Sequence, residues 1–141
     1  MQFGFIGLGQ MGAPMALNLA KHHTVIAYDR DAKIVNTLKE KGLNTTNNQS
    51  DLYGVDVVIL CLPTGQIVQS CLFNPETGIA SILKKGTTVV DTSTIDHATT
   101  LQLSNDLYAL GIDFIDAPVS GMQTRPENGS LTMICAGETQ I

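Results

Sequence analysis

Three glycines near the N-terminus have a spacing that suits the binding of a phosphate group. Six consecutive residues match the pattern G-x-G-x-x-G, namely Gly7, Leu8, Gly9, Gln10, Met11 and Gly12. Gly7 would permit a tight turn, Gly9 would let the backbone approach a pyrophosphate, and Gly12 would let a helix pack close to a strand. A pyrophosphate would then lie at a helix N-terminus, where unpaired N–H groups and the positive end of the helix dipole favour an anion.

An acidic residue stands at the matching distance from these glycines. Asp29 ends the next apolar run, about twenty residues on, at the position from which a carboxylate can accept both hydroxyls of a ribose. Arg30 leaves the choice of dinucleotide open, because an arginine can stack on adenine or bind a 2′-phosphate. Asp29 would repel that phosphate, so the residues favour NAD, with NADP possible. As an alternative, the glycines could be mere turn formers and Asp29 a cap for the following helix.

Three further segments with polar or turn-forming residues follow apolar runs. They are Leu62-Pro63-Thr64, Asp91-Thr92-Ser93-Thr94-Ile95 and Asp116-Ala117-Pro118-Val119-Ser120-Gly121. Ligands of open α/β sheets bind outside the carboxyl ends of the strands. We therefore expect these three segments to meet at one crevice.

The elements that must position these residues follow an alternating pattern. Short β-rich runs at residues 3–6, 24–28, 55–62, 87–91, 112–116 and 131–135 predict strands, and residues 10–21, 32–41, 65–72 and 96–110 predict helices. Such alternation is typical of parallel strands joined by crossover helices. The sequence predicts an α/β fold of the Rossmann type, with a doubly wound, mostly parallel sheet and helices on both faces. One domain over residues 1–141 is expected.

Composition excludes several classes of function. The net charge of -5 disfavours nucleic acid as a partner, and no apolar run approaches the roughly 20 residues of a membrane span. No signal peptide is visible, so we expect a cytoplasmic protein. Cys61, Cys71 and Cys135 lack C-x-x-C spacing, and Cys61 and Cys135 lie in apolar runs, so we expect buried, reduced thiols.

Histidines give no sign of a metal site. His22 and His23 are adjacent but have no third ligand at a suitable spacing, which favours a solvated pair in a loop. His97, near a predicted helix start, could be a surface residue or could contact the crevice. No metal is predicted.

Five blocks of the sequence, in their order, resemble the β-hydroxyacid dehydrogenase family, of the 3-hydroxyisobutyrate dehydrogenase kind, with 6-phosphogluconate dehydrogenase as a larger relative. The blocks are residues 7–12, Leu62-Pro63, Ser93-Thr94-Ile95, Asp116-Ala117-Pro118-Val119-Ser120-Gly121 and Gly129-Ser130-Leu131-Thr132. The resemblance covers nearly the whole chain. Its specific part is the Asp-Ala-Pro-Val-Ser-Gly block followed by Gly-Ser-Leu-Thr.

The resemblance implies roles for these blocks. The matching cofactor-contacting positions are Gly7, Leu8, Gly9, Gln10, Met11, Gly12, Asp29, Leu62, Pro63 and Thr94, with Arg30 beside them. Thr94 would lie near the nicotinamide, and Ser120 and Gly121 would hold the carboxylate and hydroxyl of the substrate, with Thr94 close by. Alternatively, Thr94 could cap the next helix and Ser120 could stabilise a turn.

The resemblance also implies that the catalytic machinery is incomplete. The catalytic lysine of the family would lie beyond Ile141, in a downstream helical domain that also builds the dimer, and no lysine follows Lys85 in this chain. Met122, Arg125 and Pro126 depart from the small residues that the family commonly has there.

The implied protein is an NAD(P)-dependent oxidoreductase that interconverts a small 3-hydroxy acid and its semialdehyde. At full length it would be a homo-oligomer, and this chain alone would be inactive. The alternative is a stand-alone dinucleotide-binding or redox-sensing module without catalysis. The two hypotheses differ in whether the protein continues past Ile141 into a catalytic domain.

Overall fold

Six parallel strands form the main sheet in the computed structural model, which describes residues 1–120 and 130–137. They are β1 (Gln2–Ile6), β2 (Thr24–Tyr28), β3 (Thr45–Thr46), β4 (Val57–Leu60), β5 (Thr88–Asp91) and β6 (Asp113–Asp116). Their order is β3-β2-β1-β4-β5-β6, and each neighbouring pair is parallel. The predicted doubly wound α/β fold is confirmed.

Four α-helices cover the two faces of this sheet. They are α1 (Gly12–Leu19), α2 (Ala32–Glu40), α3 (Gly65–Phe73) and α4 (His97–Ala109). On one face, Ala16 of α1 and Leu38 of α2 pack with Phe5, Val25 and Ala27. This division gives each face its own apolar core.

The opposite face carries α3 and α4. Buried side chains of both helices pack against β1, β4 and β5, and the set comprises Val68, Leu72, Leu103, Leu107, Ile6, Val58, Leu60 and Val89. Phe5 and Ile6 are consecutive, so they point to opposite faces of β1 and enter different cores. The near-continuous apolar character of the central strands follows from burial on both faces.

Successive strands are added on opposite sides of the sheet before and after the step from β3 to β4, so the strand order reverses between β1 and β4. From β1 it proceeds outward to β2 and β3, and after β4 it proceeds the other way to β5 and β6. The carboxyl ends of β1 and β4 are therefore the topological switch point, where open α/β sheets bind ligands.

Some elements differ from the predicted ones. The two-residue strand β3 and two short 3-10 helices, Gln49–Leu52 and Ile79–Ser81, were not predicted. Of the strand predicted at residues 131–135, only β8 (Thr132–Met133) forms, and it pairs antiparallel with β7 (Val119–Ser120) in a separate two-stranded sheet. Ala136 then bridges to Asp116 at the edge of the main sheet.

The cysteines also depart from the expected burial. Cys135 is exposed and follows β8, because that segment lies outside the main sheet, so the prediction of a buried thiol is wrong there. Cys61 comes just after β4 and is partly buried. Cys71, in α3, is also partly buried, and burial raises its pKa to about 11.

Within residues 1–120 and 130–137, no helix has both the length and the apolar character that crossing a bilayer requires.

Replacing Leu60 of β4 by alanine should destabilise the chain strongly. Leu60 is fully buried, and a cavity left there should lower the free energy of unfolding by about 2–5 kcal/mol. Leu101→Ala is the matched control, because Leu101 is 52% exposed on α4, and its change should stay within about 0.5 kcal/mol. Urea denaturation followed by circular dichroism measures both, and equal losses would contradict this description of the core.

Candidate functional site

The turn after β1 brings the ends of three strands together. Gly7 adopts a φ of 94°, and its N–H donates to the carbonyl oxygen of Tyr28 at 3.1 Å. A Cβ on Gly7 would overlap the backbone carbonyl oxygen of Cys61, which follows β4. Only glycine satisfies both the left-handed backbone and this close approach.

The other two glycines of the pattern differ from each other. A Cβ on Gly12, the first residue of α1, would overlap the carbonyl oxygen of Gly7, so the start of the helix packs directly on the turn. Gly9 is exposed, and a Cβ added to it would meet no atom of the described residues within 4 Å. The turn-former interpretation thus explains Gly7 and Gly12 but gives no reason for Gly9.

The N-terminus of α1 offers free backbone donors. No side chain of the described residues caps it, whereas Asp31, Thr64 and Asp96 cap α2, α3 and α4. The first amide satisfied there is that of Ala13, which donates to the carbonyl oxygen of Gly9 at 3.0 Å. The preceding amides, at residues 10–12, have no acceptor in the described part of the chain. Together with the helix dipole, they form a suitable seat for an anion.

Asp29 contacts the glycine turn through its side chain. Its Oδ2 accepts a hydrogen bond from Leu8 N at 2.8 Å, and its Oδ1 accepts one from Asp31 N at 2.9 Å. The cap of α2 is Asp31, which accepts from Lys33 N, so the interpretation of Asp29 as the cap is wrong. A carboxylate has about four acceptor sites. Asp29 therefore retains capacity for two further donors.

Two neighbouring candidates have limited means of contact. The side chain of Leu8 is buried in the core beneath α1, and its N–H donates to Asp29. Leu8 could therefore contact a ligand only through its carbonyl group and the neighbouring backbone. The side chain of Arg30 is exposed and makes no ion pair or hydrogen bond within residues 1–120 and 130–137. Arg30 is free to reach a ligand beside Asp29.

Hydrogen bonds join the segments that follow β4, β5 and β6. Leu62 N donates to Ser93 Oγ at 2.9 Å, and Thr92 Oγ1 donates to Leu60 O at 2.6 Å. Ala117 N donates to Asp91 O at 2.8 Å. The three segments predicted to meet are therefore joined along one edge of the sheet.

The remaining predicted site residues lie on or near this edge. Pro63 and Thr94 are exposed, and Ser120 is exposed in β7 opposite Thr132. Asp96 caps α4 by accepting from Thr99 N at 2.9 Å, so Thr94 is not the cap.

Some of the predicted positions have no structural description. Gly121 and the atypical residues Met122, Arg125 and Pro126 lie outside the described residues, and so does Ile141. The expectation that the catalytic lysine follows Ile141 in a further domain therefore stays a prediction.

A buried acid at this edge was not singled out from the sequence. Asp91 is fully buried at the end of β5, and its Oδ1 accepts from Ser93 N at 2.9 Å. Burial raises the pKa of Asp91, hydrogen bonding with Ser93 offsets part of this rise, and the nearby Asp116 adds to it, so that the pKa stays above its ordinary value. The available sequence signal was an acid that ends an apolar strand and precedes Thr-Ser.

Other features lie away from the strand ends. An open groove of about 490 Å³ between α1 and α2 begins at Gly9 and Gln10 and extends to Lys21 and Lys41. The ring of His23 packs against that of Phe3 in a tilted arrangement, with ring centroids 5.1 Å apart. Among the described residues, no group of three side chains is arranged to hold a metal ion.

Comparison with known proteins gives a consistent set of relatives. The family described as the NAD binding domain of 6-phosphogluconate dehydrogenase matches residues 2–141. The chain is 38% identical over 143 residues to 2-(hydroxymethyl)glutarate dehydrogenase of Eubacterium barkeri, covering 100% of this chain and 47% of that protein. It is 36% identical over 136 residues to the mitochondrial 3-hydroxyisobutyrate dehydrogenase of Rattus norvegicus, covering 95% and 40%.

A solved structure shows the same fold. Psf3 in complex with NADP+ and 2-OPP superposes with a TM-score of 0.89 at 30% identity, covering 98% of this chain and 49% of that one. The chain spans about half the length of the proteins that it resembles.

Alanine at Gly12 and at Gly9 should have different effects on stability. Gly12→Ala should lower the free energy of unfolding by about 1–3 kcal/mol, because the new Cβ overlaps Gly7 and the turn must move. Gly9→Ala should change it by no more than about 0.5 kcal/mol, because the added methyl group enters open space. Thermal and urea unfolding of both variants measure this, and a destabilised Gly9→Ala would show that Gly9 has a structural role.

Proposed function

We propose that this chain, which belongs to the family of the NAD binding domain of 6-phosphogluconate dehydrogenase, binds a nicotinamide dinucleotide. The binding site lies at the carboxyl ends of β1, β2 and β4. The observation that carries this proposal is the glycine turn itself. Gly7 and Gly12 are required by the packing of the chain, whereas Gly9 has no neighbour within 4 Å of an added Cβ, and the adjacent amides have no acceptor, among the residues that the structure describes. A ligand that approaches the backbone closely gives Gly9 a reason to lack a side chain.

Each part of the site suits one part of the dinucleotide. The pyrophosphate would accept hydrogen bonds from the free amides at the start of α1. The ribose next to adenine would donate its hydroxyls to Asp29, and Arg30 would stack on the adenine. Leu62, Pro63 and Thr94 would border the nicotinamide, since they lie beyond β1 toward β4 and β5.

Asp29 favours NAD over NADP in this proposal. Its carboxylate is held in place by Leu8 and Asp31, so a 2′-phosphate would meet a fixed negative charge. Arg30 is close enough in sequence to offset part of that repulsion, which leaves NADP possible as a weaker ligand. The NADP+ in Psf3 is a property of that protein.

The substrate that we propose is a small 3-hydroxy acid. The names of the two dehydrogenases reported above describe the same chemical unit, a primary alcohol on the carbon β to a carboxylate. Ser120 and Gly121 would bind this carboxylate, with Thr94 near the hydroxyl. When bound, the nicotinamide supplies the hydride acceptor or donor for interconversion of the alcohol and the semialdehyde.

The proton transfer that accompanies hydride transfer requires a proton donor or acceptor beside the nicotinamide, and neither Lys84 nor Lys85 is placed to be that group. Lys84 lies with its Nζ 5.6 Å from the Tyr53 ring, and Lys85 lies near Gly111, both before β5 and so at the amino end of that strand. We propose that residues 1–141 are the NAD(P)-binding domain and that a helical domain beyond Ile141 contributes the catalytic lysine. By itself this chain would bind cofactor without turning over substrate.

Compartment and assembly are further parts of the proposal. We infer a cytoplasmic location from the three free cysteines, because disulfides persist mainly in oxidising compartments. We infer a homo-oligomer for the full-length protein, formed through the downstream domain.

Removing the charge of Asp29 should shift the choice of dinucleotide. Wild type should bind NADH more tightly than NADPH, and Asp29→Asn should lose roughly tenfold or more in NADH affinity, because hydrogen bonds to a charged group are worth about 1.5–3 kcal/mol. The affinity for NADPH should fall by less, so the ratio of the NADH affinity to the NADPH affinity should become smaller. Isothermal titration calorimetry measures both. Asp106→Asn on α4 is the matched control for charge, since the only hydrogen bond of the Asp106 side chain within the described residues is the one that it accepts from Gln102. An unchanged preference in Asp29→Asn would remove Asp29 from the ribose site.

Gly9→Ala should weaken binding of NADH without loss of the fold. The methyl group would occupy the space into which the pyrophosphate must come, so affinity should fall by about tenfold or more even though stability is kept. Calorimetry on samples with wild-type circular dichroism measures this. Wild-type affinity in Gly9→Ala would place the dinucleotide elsewhere, and the absence of any binding by the wild-type chain would contradict the proposed function.

A further inference from the structure

Asp91 lies at the carboxyl end of β5, beside the proposed cofactor site, and its environment is unusual. Its side chain is fully buried, and its Oδ2 has no hydrogen-bond partner in the described part of the chain. No lysine, arginine or histidine among the described residues forms an ion pair with it. Burying an acid with one oxygen unpaired is unfavourable, so such groups in native proteins call for a physical reason.

Asp91 is linked to the segments that follow β4, β5 and β6, directly or through Ser93. Its Oδ1 accepts from Ser93 N, and its backbone carbonyl accepts from Ala117 N after β6. Ser93 in turn accepts from Leu62 N, across a separation of 31 residues. Thr94, the exposed candidate beside the nicotinamide, directly follows Ser93. Asp91 is therefore connected through Ser93 to both Leu62 and Thr94.

We propose that Asp91 is a positioning residue, which fixes Ser93 and through it Leu62 and Thr94 in the geometry that binds the nicotinamide end of the dinucleotide. This role rests on the dinucleotide site proposed above. Asp91 does not touch the ligand, since it is fully buried beneath the edge.

The surroundings of Asp91 keep its carboxyl neutral over part of the acidic range. Asp116 stands at the paired position of β6, and the thiols of Cys71 in α3 and Cys61 after β4 lie near enough for the charge of Asp91 to raise their pKa values. Burial raises the pKa of both thiols, so they stay neutral there. Burial raises the pKa of Asp116 too, and His97 at the start of α4 lowers it. None of these groups supplies a positive charge in contact with Asp91.

A raised pKa has a definite consequence for stability. Below the ordinary value of 3.8, Asp91 is protonated in both the folded and the unfolded chain. As pH rises from there to the raised pKa, the unfolded chain loses its proton first, so the contribution of Asp91 to stability declines. The asparagine of an Asp91→Asn variant cannot titrate, so the stability of that variant relative to wild type should rise through the same window.

The decisive experiment compares Asp91→Asn and Asp91→Ala in NADH titrations. Asparagine keeps an uncharged acceptor for Ser93 N, so Asp91→Asn should bind NADH within about twofold of wild type near neutral pH. Asp91→Ala leaves Ser93 N without its partner, and affinity should fall by about tenfold or more, by analogy with the losses seen when the residues that support metal ligands are removed.

Thr87→Ala is the matched control for destabilisation. Thr87 is also buried and polar, lies just before the opposite end of β5, and donates to Val55 O at 3.3 Å. Its replacement should lower stability without changing the NADH affinity of the folded fraction. Equal affinity losses in Thr87→Ala and Asp91→Ala, or wild-type affinity in Asp91→Ala, would overturn the role of Asp91.

Amide NMR of the 15.1 kDa chain tests the positioning without any ligand. In wild type, the Ser93 amide shift should titrate with a midpoint above 3.8, and Asp91→Asn should abolish this titration. Hydrogen exchange at Leu62 and Ser93 should accelerate in Asp91→Ala and stay slow in Asp91→Asn and Thr87→Ala. If wild type binds no dinucleotide, the proposed function fails, and these exchange rates still decide whether Asp91 holds the strand ends. Unchanged exchange at Leu62 in Asp91→Ala would overturn the inference.

Discussion

The close approach of the turn after β1 to the segment after β4 is the constraint on which the site depends. Gly7 fits against the carbonyl of Cys61 because it lacks a Cβ, and α1 then begins at Gly12 directly on Gly7. If the turn were wider, the first amides of α1 would not face the switch point of the sheet. The helix dipole, the free amides and the ends of β1 and β4 are brought together by two steric requirements alone.

Asp29 shows how the same group can serve the fold and a ligand. Its carboxylate receives the amides of Leu8 and Asp31, so it ties the end of β2 to the glycine turn before any ligand arrives. A side chain fixed in this way loses little conformational freedom on binding, which is the general advantage of a preorganised site. The structural and binding roles of Asp29 are thus compatible.

Much of the fold could be predicted from the sequence, because its signals are local. The glycine spacing, the apolar runs and the intervening amphipathic stretches lie within a few residues of one another, and they indicate the strand and helix pattern and the first turn. Cys135 was predicted wrongly because an apolar run does not say which strand will cover it, and β8 lies outside the main sheet. The acid at the end of an apolar run is a local signal for Asp91, but the bond from Leu62 to Ser93 spans 31 residues, so no local pattern could have shown that Asp91 is linked to Leu62.

The division of the chain at the boundary between β1 and β4 has a mechanical consequence. Strands β1 to β3 with α1 and α2 come from the first part of the chain, and β4 to β6 with α3 and α4 come from the rest. Each half is continuous in sequence, so each is a natural unit of partial opening. A molecule bound across the boundary would contact both halves and hold them together. Its binding would oppose the separation of the two halves. This effect would extend through both halves, including residues that the molecule does not contact.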